Sequence, residues 1–345
     1  MNGDGTMTGD RSPDRHAQAS TSRRRLLAAV AAAPVLAGAG PAAAYARTVG
    51  AMGSPGRQRV EPVPTTEADW VGVARALGRG GNMLRRTMYH TGFPRRDLSV
   101  ISDGVIVQPG LALGTHVSFV RYADGSAMAM GDVVVTEDEM QRVIDAWQGH
   151  GIALTALHKH LLAQHPDIWW AHLHGHGRDA EALARGLRAG FDRTGTPPPA
   201  PPGLSFPIDL DTAGIEAALG TRGTVEDGLF TCLFVRRETV TSGSRVLPTG
   251  VGSTCAFLFQ PVGGGRAALA GDFAMTADEV QSVLKVLRRG GIRLVELHNH
   301  HLDESPRLFF AHFWAVEDAV VLARTLRRAV DAANVEVPQG TVPAG

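Results

Sequence analysis

Apolar and polar positions along this chain sort into two periods, and the order in which they alternate is repeated. A helical pattern runs from Glu67 to Gly78 and returns from Asp209 to Gly220, each closed by a glycine of the kind that caps helix ends. Four strand-like runs follow each helix. The last two are THVSFVRY and SAMAMGDVVV in the first instance, STCAFLF and RAALAGDFAM in the second, joined by the hairpin-like connections ADG and VGGG. Thr136-Glu137-Asp138-Glu139 and Thr276-Ala277-Asp278-Glu279 then fit the Ser/Thr-x-x-Glu capping box that opens a helix, ending before Ile152 or Ile292. Two more strands and an Ala/Leu/Arg-rich helix complete the unit. The pattern predicts an α+β unit with a largely antiparallel sheet and flanking helices, duplicated in tandem.

The chain compared with itself supports the duplication. Gly131-Asp132 recurs as Gly271-Asp272, His158 as His298, Pro166 as Pro306 and His172 as His312, each 140 residues on. From Gly131 to His172 the copies align without a gap, with 17 of 42 positions identical. The expected organisation is a signal segment over 1–46, a loose lead-in over 47–66, a first repeat over 67–193, a Pro-rich linker over 194–206, a second repeat over 207–334 and a tail over 335–345.

Composition changes this picture little. Of 345 residues 44% are hydrophobic, and 34 basic side chains balance 34 acidic ones. That balance gives no net pull toward nucleic acid or an anionic membrane, so the expected partners are a small molecule or a metal ion. The N-terminus adds an address. Ser22-Arg23-Arg24-Arg25-Leu26-Leu27 precedes an Ala-rich apolar run and the A-x-A site Ala44-Tyr45-Ala46, the layout of a signal peptide with paired arginines, read as a twin-arginine signal rather than an ordinary secretory one. A soluble, extracytoplasmic protein cleaved near Ala46 is expected, touching the membrane only during export. Cys232 and Cys255 lie in strand-like runs, as a disulfide if those strands are neighbours or as two buried thiols.

Chemistry concentrates in LHKHLLAQHPDIWWAH, from Leu157, and LHNHHLDESPRLFFAH, from Leu297. In a strand, residues two apart share a face, so His158 and His160 project together, as do His298 and His300. A hairpin centred near residue 305 brings His312 across from His298, and the same holds for His172 in the first copy. Three histidines with a fourth position open is the arrangement of a catalytic zinc site, so each repeat is expected to hold a divalent metal, zinc first. The alternative is a hairpin in which the histidines pack and bond to backbone.

Other repeated residues are read more plainly. Asp132 and Asp272 are turn or bulge residues, or acids facing the site. Glu139 and Glu279 are caps, and Arg96-Asp97 and Arg237-Glu238 are surface ion pairs or an anion clamp. Glu296 and Glu304 flank the second motif where the first has Ala156 and Gln164; with Asp272 they are the catalytic candidates, Glu296 being expected on the strand face away from the histidines. His174 and His176 extend the first motif where the second has Trp314 and Val316. No nucleophile elbow, phosphate loop or dinucleotide fingerprint is present, and VGGGR is a turn.

The strings GDFAMTADEV, GIRLVELHNHHLDESPRLFFAHFWAVEDAVVLA, GDVVVTEDEM, TALHKHLLAQHP and HGHG resemble the LppY/LpqO family of exported two-repeat bacterial proteins, from about Trp70 to Arg328. The resemblance implies export and duplication, not a reaction, and this chain lacks the lipid-accepting cysteine of the lipoprotein members. The spacing His158/His160/His172 and His298/His300/His312 is also similar to that of the zinc ligands of acetolactate decarboxylase. The resulting expectation is an exported divalent-metal-dependent hydrolase or lyase acting on a small polar substrate, or else a non-catalytic protein that binds metal or a small ligand.

Overall fold

The computed structural model describes residues 58–200 and 207–338. The expected signal segment, most of the lead-in, the end of the linker and the end of the tail lie outside the described residues. The first repeat runs α1 (Val71–Leu77), β1 (Asn82–Leu84), β2 (Met88–Pro94), β3 (Val100–Ser102), β4 (Val105–Val107), α2 (Pro109–Ala112), β5 (Gly114–Arg121) and β6 (Ala127–Thr136). It continues with α3 (Glu137–Gln148), β7 (Ala153–His158), β8 (Gln164–His165), β9 (Ile168–Gly177) and α4 (Ala180–Phe191). The second repeats the scheme as α5 (Thr212–Leu219), β10 (Gly223–Glu226), β11 (Leu229–Arg236), β12 (Thr241–Ser242), β13 (Arg245–Val246), β14 (Thr254–Gly263) and β15 (Arg266–Met275). Then come α6 (Val280–Arg289), β16 (Arg293–His298), β17 (Glu304–Ser305), β18 (Phe309–Asp318), α7 (Ala319–Val330) and β19 (Val335–Glu336).

The main sheets have the orders β1-β2-β5-β6-β9-β7 and β10-β11-β14-β15-β18-β16, antiparallel throughout. The fold is therefore α+β, largely antiparallel and duplicated, as the pattern predicts. Gly78 and Gly220 end α1 and α5 in the left-handed region, at φ 70° and 71°, where glycine carries no Cβ penalty.

Period-two alternation along β6 shows how the repeats meet. Its odd residues Ala127, Ala129, Val133 and Val135 pack with Leu77, Val143, Trp147 and Leu187 of the repeat's own helices. Its even residues Met128, Met130 and Val134 pack in clusters that include side chains of the second repeat. In β15, Leu269, Phe273 and Met275 likewise face α6 and α7, while Ala268 and Ala270 share a cluster with Leu161 and Trp170 of the first repeat. Each sheet is thus covered by helices on one face and by the other repeat on the second, and both repeats fall within one compact unit. Asp132 and Asp272 are even-numbered, so both point into the layer between the sheets.

Several expectations need correction. The end of the lead-in is tied down: the Val60 amide donates to the Ser244 carbonyl at 2.9 Å and the Val63 amide to the Arg121 carbonyl at 2.9 Å, so this segment binds both repeats. Val335–Glu336, assigned to the tail, pairs with β11. The first capping box is complete, but in the second the Thr276 hydroxyl bonds the Asp278 carboxylate at 2.6 Å, and α6 starts only at Val280.

The surface ion pairs are also misplaced. The paired arginines are Arg95 and Arg236, one residue earlier, and both are buried. Arg95 donates to Glu139 at 2.8 Å, to Asp97 at 2.8 Å and to the Val134 carbonyl at 2.9 Å, and Arg236 does the same with Glu279, Glu238 and the Ala274 carbonyl. Glu139 and Glu279 thus tie the helix entrance to a buried guanidinium as well as capping.

The cysteines are settled by register. β11 and β14 are neighbours, but Cys232 stands opposite Phe257 and Cys255 opposite Phe234, so the two are diagonal, at a spacing of about 7–8 Å that a disulfide does not bridge. Burial pushes both thiols up to about 12. Neither is expected to react with a thiol reagent in the native protein at neutral pH, and both should react after denaturation. Rapid labelling of the native protein, or no thiols after unfolding, contradicts this.

Candidate functional site: a pooled histidine cluster between the repeats

The site begins with one row of each sheet. In antiparallel ladders residues opposite one another share a face, and His116 on β5, Asp132 on β6 and His172 on β9 stand in register. The matching row of the second sheet is Ala256, Asp272 and His312. Glycine precedes each aspartate because the strands crowd there: a Cβ on Gly131 would lie 2.4 Å from the His116 carbonyl oxygen, and one on Gly271 2.4 Å from that of Ala256. The same glycines orient the neighbouring rings. His172 Nδ1 donates to the Gly131 carbonyl at 3.4 Å and His312 Nδ1 to the Gly271 carbonyl at 3.0 Å, which leaves both Nε2 atoms free toward the layer between the sheets.

The His-x-His pairs arrive from the edge strands β7 and β16, which lie against each other. Here the hairpin register differs from expectation. His312 stands opposite Glu296, and His298 opposite Phe310, after a bulge between Leu294 and Glu296. His160 and His300 lie beyond the strand ends. Aromatic residues hold their rings, His160 stacked on Trp170 at 4.4 Å and His300 on Phe310 at 3.4 Å.

Instead of a triad in each repeat, all six histidines come together across the repeat interface. The rings of His158 and His298 stack at 4.0 Å, His160 sits 3.8 Å from His312, and His300 sits 4.0 Å from His172. Two trios have ligand atoms all within 4.8 Å of one another, namely His158, His172 and His298, and His158, His160 and His312. Each trio draws on both repeats. Asp132 accepts from His160 Nε2 at 3.0 Å and Asp272 lies 3.3 Å from His300 Nε2.

Burial dominates the electrostatics. It lowers the pKa of all six rings, to about 3 for His172 and about 4 for His312, with neighbouring imidazoles adding to the effect, so the cluster is neutral at pH 7. The two aspartates diverge. Burial pushes Asp272 up to about 6 despite His312 and His172, whereas at Asp132 the histidines His172 and His160 overcome burial and hold the carboxyl well below its usual range. Buried ring nitrogens without partners remain on His158, His172, His298, His300 and His312. Unpaired buried polar atoms are costly, and here they are concentrated in one place.

Because folding holds these rings neutral and the unfolded chain protonates them near 6.5, the metal-free protein is expected to be fully stable above about pH 6.5 and to lose stability as pH falls toward 4 and 3. A melting temperature unchanged between pH 7.5 and pH 5 contradicts this.

The cluster forms one wall of a cavity of about 560 Å³, a size that suits a small molecule. His160, His172, His300, His312, Asp132 and Asp272 line it, and His158 and His298 do not. Farther along stand His90, His116 and Arg85, with Met130, Leu233 and Leu258 supplying apolar surface. His90 bonds the Ser118 hydroxyl at 3.0 Å, and burial with the His116 charge lowers its pKa to about 3. Sequence reasoning missed His90 and His116. The ADG turn fixes the β5–β6 register, and that register alone sets His116 beside Asp132.

Two of the catalytic candidates do not line the cavity. Glu304 is buried but engaged by Arg307 and by the Leu308 amide, which donates to it at 3.1 Å. Glu296 lies, by strand alternation, on the histidine face and not away from it. Burial raises its pKa against the opposing charge of Lys159.

A family model described as Domain of Unknown Function (DUF1259) matches residues 71–193 and again residues 213–332. The chain belongs to the DUF1259 family. Both matched segments of this DUF1259 chain carry the His-x-His and the later histidine, so the cluster is formed by family-matched sequence from each. No curated protein matches the chain. Among solved structures, a double-ringed trimeric shell protein from the RMM microcompartment is similar at 13% identity and TM-score 0.18, over 59% of this chain and 81% of that one. EtuB from Clostridium kluyveri is similar at 9% identity and TM-score 0.18, over 73% and 88%, and the trimeric microcompartment shell protein PduB at 10% and 0.18, over 71% and 86%. Scores of this size bear no weight on fold or function.

Proposed function

We propose that this DUF1259 protein is a divalent-metal-dependent enzyme, with zinc the favoured ion, acting as a hydrolase or lyase on a small polar substrate. One observation carries the reading: imidazole nitrogens from both repeats, buried and without partners, converge on the wall of a cavity large enough for a substrate. Imidazole-rich donor sets suit zinc and its first-row neighbours. A bound ion would supply Lewis acidity toward a carbonyl or a water. The chain's own residues do the rest. The Gly131 and Gly271 carbonyls fix the tautomers of His172 and His312, Asp132 holds His160, and Asp272, 3.3 Å from His300 Nε2 and lining the cavity, is the carboxylate placed to take or give a proton there.

A non-catalytic metal-binding protein is the second reading, favoured by the surplus of imidazoles, since six can close a coordination shell completely. Metal content of protein purified without a His tag tests both. At least one equivalent of a transition metal per chain is expected, and fewer than about 0.1 equivalent refutes both readings. Cobalt substitution separates them: a visible spectrum that shifts on adding a small carboxylate reports an open position and supports the enzyme, and an unresponsive spectrum supports the binding protein.

We also infer export in the manner of the LppY/LpqO family. The support is the arginine pair, the Ala-rich run and the Ala44-Tyr45-Ala46 site in the sequence. Among the described residues no helix is long and apolar enough to cross a membrane.

A further inference from the structure

We propose a second metal-binding site, formed by His174, His176 and His301 with Asp303, on one side of the interface between the repeats. His174 and His176 are two apart on β9 and their rings lie 4.3 Å centre to centre. His301, from the loop after β16, meets His174 edge-on at 5.0 Å. It is the ring that most needs a ligand, being fully buried with neither nitrogen partnered, and His174 Nε2 is also buried without a partner. His176 is exposed, which gives an ion a way in.

The internal duplication supplies the control. At the matching positions of the other repeat, 140 residues away, stand Trp314, Val316, Leu161 and Ala163. Leu161 and Trp314 there are buried in one apolar cluster. The fold therefore fills this place with apolar side chains when nothing else is asked of it. Three imidazoles and a carboxylate in the same four places are a departure that packing does not call for, and an unpaired buried imidazole costs stability unless something binds it.

The surroundings suit a cation. The Ser242 hydroxyl donates to Asp303 Oδ1 at 2.9 Å, leaving the other carboxylate oxygen available, and the Asp303 charge acts on both His176 and His301. Two guanidiniums stand nearby, and both are engaged, Arg245 by Asp124 at 3.3 Å and Arg307 by Glu304 at 3.2 Å. A donor set of three nitrogens and one oxygen takes zinc, nickel or copper in preference to calcium or magnesium. None of these four residues belongs to the trios of the first cluster, and no three of them bring ligand atoms within 4.8 Å of one another in the metal-free chain, so a bound ion must draw the exposed His176 and Asp303 inward.

The test is a zinc titration of the metal-free full chain, followed by calorimetry and by bound-metal analysis. Wild type is expected to bind one equivalent more than His301→Leu, which installs the residue that the other repeat carries. His176→Val, at an exposed position that leaves the fold intact, is expected to weaken that same equivalent at least tenfold. His158→Ala should keep it, so failure of the first cluster to bind metal does not hide the result. Equal stoichiometry and affinity in wild type, His301→Leu and His176→Val overturn the proposal. Should His301→Leu not fold, His176→Val decides.

Discussion

Replacing His158 with alanine is expected to weaken metal binding at the pooled cluster by at least about a hundredfold, and to remove any metal-dependent turnover with it. His158 is the histidine common to both ligand trios, is fully buried, and stacks on His298 at the junction of the repeats. Loss of groups that merely orient a ligand already costs 10–100-fold in affinity, so loss of a shared ligand costs more. The stability response should split. In metal-free protein, deleting a ring whose Nδ1 has no partner relieves a burden as well as leaving a cavity, so the melting temperature changes little. In the presence of excess zinc, wild type gains the linkage stabilisation of a bound ligand and the variant does not. Calorimetric titration and paired melting curves measure both effects. Affinity within threefold of wild type, with His150→Ala on the exposed surface as the control, removes His158 from the site.

The second large effect is structural. Arg95→Met is expected to destabilise the protein by about 3–5 kcal/mol, because it strands Glu139 and Asp97 beside a buried cation that is no longer there. For a body of this size that corresponds to a fall of roughly 10 °C in melting temperature. Adding Glu139→Gln to Arg95→Met should cost less than the sum of the single changes, since the two side chains share one network. Chemical denaturation of the four proteins completes the cycle. A single-variant loss below about 1 kcal/mol, or strict additivity, contradicts the buried-network account.

Much of this architecture is legible in the chain. The duplication, the helix-ending glycines, the hairpins and the histidine motifs follow from local patterns of period two and 3.6 together with an internal comparison. What the sequence conceals is contact across the repeats. His160 and His312 lie 152 positions apart and come from different repeats, and no local rule says that the edges of the two sheets meet. Local patterns therefore place one triad within each repeat. The register differs from expectation because the loop between β16 and β18, whose short strand β17 pairs with β12, centres the hairpin on residue 304 and sets His312 opposite Glu296, a placement that alternation alone does not fix. Nothing in the string RRD says which of Arg95 and Arg96 turns inward. The answer lies in Glu139, far along the chain at the start of α3.

The stacking of His158 on His298 has a consequence for the origin of the molecule. These are matching residues, and a residue that meets its own counterpart lies on an axis of approximate twofold symmetry. A single-repeat ancestor could have built the same site only by pairing with an identical copy, as an isologous homodimer, each subunit offering half of the ligands. Fusion of two such subunits into one chain frees each half to change alone. Leu161 against His301, Ala256 against His116 and Trp314 against His174 record that release from symmetry, which a dimer of identical chains forbids.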